Sequence, residues 1–157
     1  MIVCYLGLGS NLRSPERQLR QALAALQKLP HCALTKTSSV YFSKPYGMRA
    51  QPTYCNMVVQ LLTTLPPTLL LAYCHKLEKN QLRVRNKRWG SRTLDIDILL
   101  YGKQRIHSKL LTIPHPQMFK RDFVLLPILE ITSDLHYPGG KRLDSYLSQC
   151  VDHVIPI

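Results

Sequence analysis

Two aspartates stand two residues apart in RWGSRTLDIDILLYG, residues 88–102. The apolar residues around them mark a β-strand, and side chains alternate along a strand. Asp95 and Asp97 therefore share one face while Leu94, Ile96 and Ile98 share the other. Their Cα atoms would stand roughly 6–7 Å apart. Two ionised carboxylates that close repel, and burial would raise the pKa of one. A hard divalent cation removes the conflict, because Mg²⁺ takes one or two carboxylates together with substrate phosphates. A pair of metals about 3.5–4 Å apart is a second option. The competing reading is that each aspartate pairs with a neighbouring arginine on a solvated edge strand.

The residues upstream favour the first reading. Arg83, Arg85, Arg88 and Arg92 precede the strand, with Trp89 and Gly90 among them. Guanidinium forks clamp phosphate and stabilise charge in phosphoryl transfer, and an indole can cover a base or seal a loop. Residues 76–92 hold seven cations against Glu78 alone, and no acid lies between Arg17 and Lys76. The net charge is +12, a field that attracts nucleotide phosphates or nucleic acid. The usual phosphate loops are absent. GLGSNL at 7–12 lacks the third glycine of a dinucleotide fingerprint and no Gly-Lys-Ser/Thr follows it. Those glycines read as a tight strand-to-helix turn.

The elements that must position these groups follow from patterning. IVCYLGLG is a short buried strand. SPERQLRQALAALQKLP opens a helix with Ser14 as N-cap and Pro15 at its first position; Leu19, Ala22, Leu23 and Leu26 face the core, and Pro30 stops it. Residues 33–42 and 54–63 read as strands. After Pro66-Pro67 a second helix turns Leu70, Tyr73, Cys74 and Leu77 inward, and the strand at 93–101 ends at the Gly102-Lys103 turn. A short helix within 117–130 is expected to break at Pro127. The order β-α-β-β-α-β predicts an α+β fold, a ferredoxin-like sandwich with C-terminal additions. A single domain over residues 1–157 is expected.

Five scattered cysteines without a Cys-x-x-Cys pair read as reduced, packed thiols of a cytoplasmic protein, and the six histidines show no metal-ligand spacing. No apolar run is long enough to span a membrane and the N-terminus lacks a signal-peptide pattern, so no membrane partner is expected. An RNA-binding module on the same element order is the alternative, but RNA-stacking sheets need an aromatic motif that this chain lacks. A sheet bearing two aspartates would also repel phosphate.

YLGLGSNL, NMVV after PTY, RWGSRTLDIDILLYG and TIPHPQMFKRDFVLLPILEI occur in this order over residues 2–131. Together they resemble the 6-hydroxymethyl-7,8-dihydropterin pyrophosphokinase family of folate biosynthesis. The resemblance implies a ferredoxin-like fold and transfer of pyrophosphate from ATP to the pterin hydroxymethyl group, releasing AMP. It implies two Mg²⁺ ions on Asp95 and Asp97, with Asp97 orienting the attacking hydroxyl. Arg83, Arg85 and Arg92 would steady the triphosphate from a mobile loop on which Trp89 packs. Glu78, Ile98, Thr112, His115 and Arg121 would contact the nucleotide. Tyr54 and Phe123 would sandwich the pterin, Asn56 would read its polar edge, backbone near Ser43 and Tyr46 would complete that edge, and Asp95 would face the substrate. The chain departs from the family pattern at His75, Leu110 and Pro116. A monomer taking only small-molecule substrates, with no nucleic acid, is expected.

Overall fold

A computed structural model of the chain describes residues 1–11, 14–44, 53–82, 94–132, 135, 140–150, 152, 154 and 155. Strand β1 (Ile2–Ser10) leads to helix α1 (Pro15–Gln27), and β2 (Cys32–Thr37) and β3 (Tyr41–Ser43) follow. Then come β4 (Tyr54–Thr63), helix α2 (Pro67–Leu82) and β5 (Asp95–Tyr101). A small hairpin of β6 (Ile106–His107) and β7 (Thr112–Ile113) precedes a 3₁₀ turn at Met118–Lys120, helix α3 (Asp122–Ile131) and a 3₁₀ segment at Leu143–Gln149.

The main sheet runs β2-β4-β1-β5 with antiparallel pairing, and β3 also pairs with β4. One face is mainly apolar. Leu8 lies between Met57 and Ile96 across three strands, and Leu19, Ala22 and Leu26 of α1 pack over that face with Leu70 and Cys74 of α2. This matches the inward faces expected for both helices. The other face divides along its length. At one end Tyr5, Val58, Leu99 and Leu100 pack against Val124, Leu125 and Ile128 of α3. The other end carries the aspartates.

An irregularity in β5 makes this division. Tyr5 pairs with Leu100 but Leu6 pairs with Ile98, so Leu99 is an extra residue, a β-bulge. Strict alternation would send Leu100 to the helix α1/α2 side. The bulge puts Leu99 and Leu100 both under α3 and leaves Asp95 and Asp97 beyond its edge. Gly102 then turns the chain at φ 54°, a left-handed conformation that suits glycine.

Several expectations need correction. Gly7 and Gly9 lie inside β1, not in a turn after it. Ser14 does not cap α1 with its side chain: it sits at φ 57°, ψ 72° with no side-chain cap bond. Proline at 15 disfavours the α region for the preceding residue, and a left-handed backbone aims the hydroxyl away from the N2 and N3 amides. The strand expected at 33–42 is two strands. Ser38 interrupts it, its hydroxyl accepting from the Val58 N–H at 2.9 Å and donating to the Ser39 carbonyl at 2.8 Å. A serine hydroxyl thus replaces a ladder partner. Helix α3 runs through Pro127 instead of breaking there. An interior proline costs about 3 kcal/mol. Val124, Leu125, Pro127 and Ile128 are all buried, and burying large aliphatic side chains contributes roughly 1.5–3 kcal/mol each. Packing wins over the lost hydrogen bond.

Candidate functional site

Pairing register builds the site in rows. Gly9 lies between Asn56 of β4 and Asp95 of β5, and Gly7 lies between Val58 and Asp97. Directly paired residues point to the same side of a sheet, so one row reads amide, glycine, carboxylate and the next reads valine, glycine, carboxylate. The glycines keep the floor open. A Cβ at Gly9 would stand 3.3 Å from Asn56 Oδ1, closer than ordinary contact. These two residues escaped the sequence reading, although glycine inside a strand is itself a sign of close approach by a ligand or another backbone.

One cavity opens above this floor, and a second opens beside it at the β5 edge of the sheet. The smaller, about 180 Å³, is lined by Gly7, Gly9, Ser43, Tyr54, Asn56 and Phe123 among others. Asn56 donates from Nδ2 to Ser43 Oγ at 2.7 Å, and both residues are buried. The Arg121 guanidinium lies 5.7 Å from the centre of the Phe123 ring. The larger cavity, about 520 Å³, is lined by Glu78, Ile98, Thr112, His115 and Pro116, with His75, Lys109 and Leu110 at its rim. All three positions that depart from the family pattern face this second cavity, and Leu110 is 78% exposed. Asp95, Asp97 and Arg121 line both cavities. They form the partition between a slot with aromatic sides and a polar chamber.

The electrostatics at the partition are strained by like charge. Glu78 on α2 accepts from the Ile96 N–H at 2.7 Å. Burial pushes its carboxyl up, the Ile96 bond opposes this, and Asp95 and Asp97 add repulsion, so its pKa reaches about 7. His115 donates its backbone N–H to Leu99, and its Nδ1 accepts from the Gln117 N–H at 3.1 Å. The neutral ring therefore carries its proton on Nε2, which lies 3.9 Å from Asp97 Oδ2, beyond hydrogen-bond reach. Burial lowers the His115 pKa, and Arg121 lowers it further against the pull of Asp95. A cluster of acids on one wall and a histidine held towards neutrality suit a ligand that brings its own cations and phosphates.

Of the residues singled out in the sequence, Ser43, Tyr54, Asn56, Phe123, Asp95, Asp97 and Arg121 gather on the small cavity. Glu78, Ile98, Thr112 and His115 gather on the large one with Asp95, Asp97 and Arg121. Tyr46, Arg83, Arg85, Trp89 and Arg92 lie outside the described residues. Among the described residues no helix is long and apolar enough to cross a membrane.

Similarity to known proteins identifies the family. The 7,8-dihydro-6-hydroxymethylpterin-pyrophosphokinase (HPPK) family model matches residues 5–133. A 2-amino-4-hydroxy-6-hydroxymethyldihydropteridine pyrophosphokinase of Haemophilus influenzae is 47% identical over 153 residues, covering 98% of this chain and 96% of that protein. The protein of the same name from Bacillus subtilis is 42% identical over 129 residues, covering 82% and 77%. Among solved structures, an HPPK-DHPS in complex with substrates superposes with a TM-score of 0.74 at 12% identity. A Plasmodium falciparum HPPK-DHPS triple mutant gives 0.75 at 14%. Each covers 94% of this chain, which spans 43% and 41% of those longer chains, so this likeness is one of fold. With its family motif, its long matches at over 40% identity and its paired cavities, this chain belongs to the 7,8-dihydro-6-hydroxymethylpterin-pyrophosphokinase family.

Proposed function

We propose that the chain transfers pyrophosphate from ATP to the hydroxymethyl group of 6-hydroxymethyl-7,8-dihydropterin, releasing AMP, as a step of folate biosynthesis. The observation that carries this is the shared partition: a flat slot and a polar chamber meet at Asp95, Asp97 and Arg121. An acceptor in one and a donor in the other would bring their reacting atoms together there, and juxtaposition of this kind supplies much of the catalysis in phosphoryl transfer.

The pterin ring lies in the small cavity between Tyr54 and Phe123, with the Asn56 amide reading its polar edge and Ser43 holding that amide; Tyr46 adds backbone contacts. Glu78, Ile98, Thr112, His115 and Arg121 line the seat of ATP. Asp97 orients the pterin hydroxyl towards the β-phosphorus, and Arg83, Arg85 and Arg92 steady the triphosphate while Trp89 packs against the nucleotide side. His115, held neutral, donates from Nε2 rather than adding a charge.

Asp95 and Asp97 would hold two Mg²⁺ ions. The residues fit that group. Two carboxylates on one face of β5, lining both cavities, suit Mg²⁺, an ion that takes one or two carboxylates and completes its shell with water and phosphate oxygens. When bound, Mg²⁺ supplies neutralisation of the carboxylates and of the triphosphate charge.

The sheet order β2-β4-β1-β5, with α1 and α2 on one face, supports reading the architecture as ferredoxin-like. We read the chain as one monomeric, cytoplasmic domain acting on small molecules. The RNA-binding alternative is weakened because the open sheet surface offers two glycines and two carboxylates where bases would stack.

³¹P NMR of the protein with ATP, Mg²⁺ and 6-hydroxymethyl-7,8-dihydropterin tests the reaction. AMP and a pterin diphosphate, absent with Asp97→Ala, are expected. ADP as product would overturn attack at the β-phosphorus, and no turnover by folded protein would overturn the reading as a whole.

A further inference from the structure

Residues Val154 and Ile155 bond to the two elements that carry the walls of the small cavity, β3 and the start of α3. The Ile155 N–H donates to the Phe42 carbonyl at 2.8 Å, and Val154 pairs antiparallel with Ser43. The segment thus extends the edge of β3. Successive amides of extended backbone point to opposite sides, and the Val154 N–H turns away from β3 to donate to Asp122 Oδ2 at 3.0 Å. On the first side, Ser43 accepts the Asn56 amide. On the other, Asp122 opens α3 and immediately precedes Phe123, the ring across the cavity.

Asp122 is 6% exposed. Burying a carboxylate is costly unless it is satisfied by hydrogen bonds, and nothing in the proposed chemistry uses this one. Its bond to Val154 gives it a purpose. The polar-edge wall and the aromatic wall belong to elements distant in sequence, β3 and α3, and this segment hydrogen-bonds to both.

We propose that Val154–Ile155 is a strap that sets the width of the pterin slot, with Asp122 as a positioning residue. This inference rests on the pyrophosphokinase reading. Cutting the strap lets the Phe123 wall shift relative to Ser43 and Asn56. Pterin binding then weakens while the carboxylates on β5, anchored in the sheet, keep their places.

Steady-state kinetics test it, alongside calorimetric titration of 6-hydroxymethylpterin into protein saturated with α,β-methylene-ATP and Mg²⁺. Val154→Pro removes the N–H that Asp122 accepts, and Asp122→Ala removes the acceptor. Each is expected to raise the pterin KM and Kd about tenfold, the loss typical of one charge-assisted hydrogen bond, with kcat held within about twofold. The double variant should be no worse than Asp122→Ala alone, because that substitution already deletes the bond. Asp122→Asn keeps an acceptor oxygen and should recover most of the affinity. Thermal melts establish folding, and if Asp122→Ala does not fold, Ile155→Pro, which cuts the strap on its β3 side, should give the same KM shift.

Unchanged pterin KM in the folded variants, or additive effects in the double variant, would overturn the strap alone. Wild-type protein that neither binds the pterin nor turns it over would overturn the pyrophosphokinase reading and the strap with it.

Discussion

Gly9 serves the site by lacking a side chain. Glycine inside a strand ordinarily costs about 0.5–1 kcal/mol relative to alanine, a gain for Gly9→Ala that is offset by strain on the buried Asn56–Ser43 bond. A methyl 3.3 Å from Asn56 Oδ1 would push the amide from its place. The expected result is a pterin KM raised several-fold in a protein that melts within a few degrees of wild type, read by kinetics and calorimetry on the same samples. Asp97 poses the complementary case. It adds repulsion to a wall shared with Asp95 and Glu78. Asp97→Asn should therefore fold at least as well as wild type while kcat falls about 10²–10³-fold, the scale seen when one preorganised electrostatic group is lost. A melt and an AMP-release assay check both halves. Loss of stability in step with activity would make Asp97 a structural residue instead.

Among the elements, α3 matters most, because it carries Arg121 beside its N-terminus and Phe123 in its first turn. It is fastened at its far end by Glu130, which accepts the Ser39 N–H at 3.1 Å, the Ser39 hydroxyl at 2.9 Å and the Tyr41 hydroxyl at 2.7 Å. Partial burial pushes the Glu130 carboxyl up, but the donors from Tyr41 and Ser39 outweigh it, and its pKa lies below the ordinary 4.5. A carboxylate with a depressed folded pKa contributes stability above its unfolded pKa and loses it as pH falls through the folded value. The melting-temperature gap between wild type and Glu130→Gln should accordingly be constant at neutral pH and close below about pH 4.5. Burial and the partnership with Glu130 raise the Tyr41 pKa to about 12, so this anchor should show no alkaline change below about pH 10. The Ser38 break between β2 and β3 is what lets Ser39 and Tyr41 meet Glu130. A continuous strand over 33–42 would have kept alternating along β4.

At the scale of the whole molecule, two faces of one sheet are used differently. Leu125 is fully buried on the α3 side. Leu125→Ala should cost about 2–5 kcal/mol, measured by denaturant unfolding, and the same variant should raise the pterin KM because α3 carries Phe123. The +12 net charge acts over longer range. Raising salt from about 0.05 to 0.5 M shortens the screening length from more than 10 Å to only a few. The KM for anionic ATP should then rise several-fold, while the KM for the uncharged pterin stays flat. Equal salt sensitivity of both substrates would remove any role for the field in gathering nucleotide.

Much of this was legible in the chain itself. The Asp-x-Asp spacing determines that two carboxylates share a face wherever that segment is a strand, because alternation is a local property of extended backbone. Helical spacing likewise determined the buried faces of α1 and α2, and 54–63 emerged as β4 at its full length. Other features depend on partners distant in sequence. Which glycine lies between Asn56 and Asp95 is a matter of register across three strands. The bulge at Leu99 is decided by what packs above it, and Pro127 is tolerated because α3 has a sheet to bury against. That Val154 meets both Ser43 and Asp122 comes from chain path alone. The sequence by itself determined the chemistry available, since residue types and short spacings are local. Only the tertiary structure decided how that chemistry divides into two cavities meeting at one pair of aspartates, because non-local pairing and packing set it.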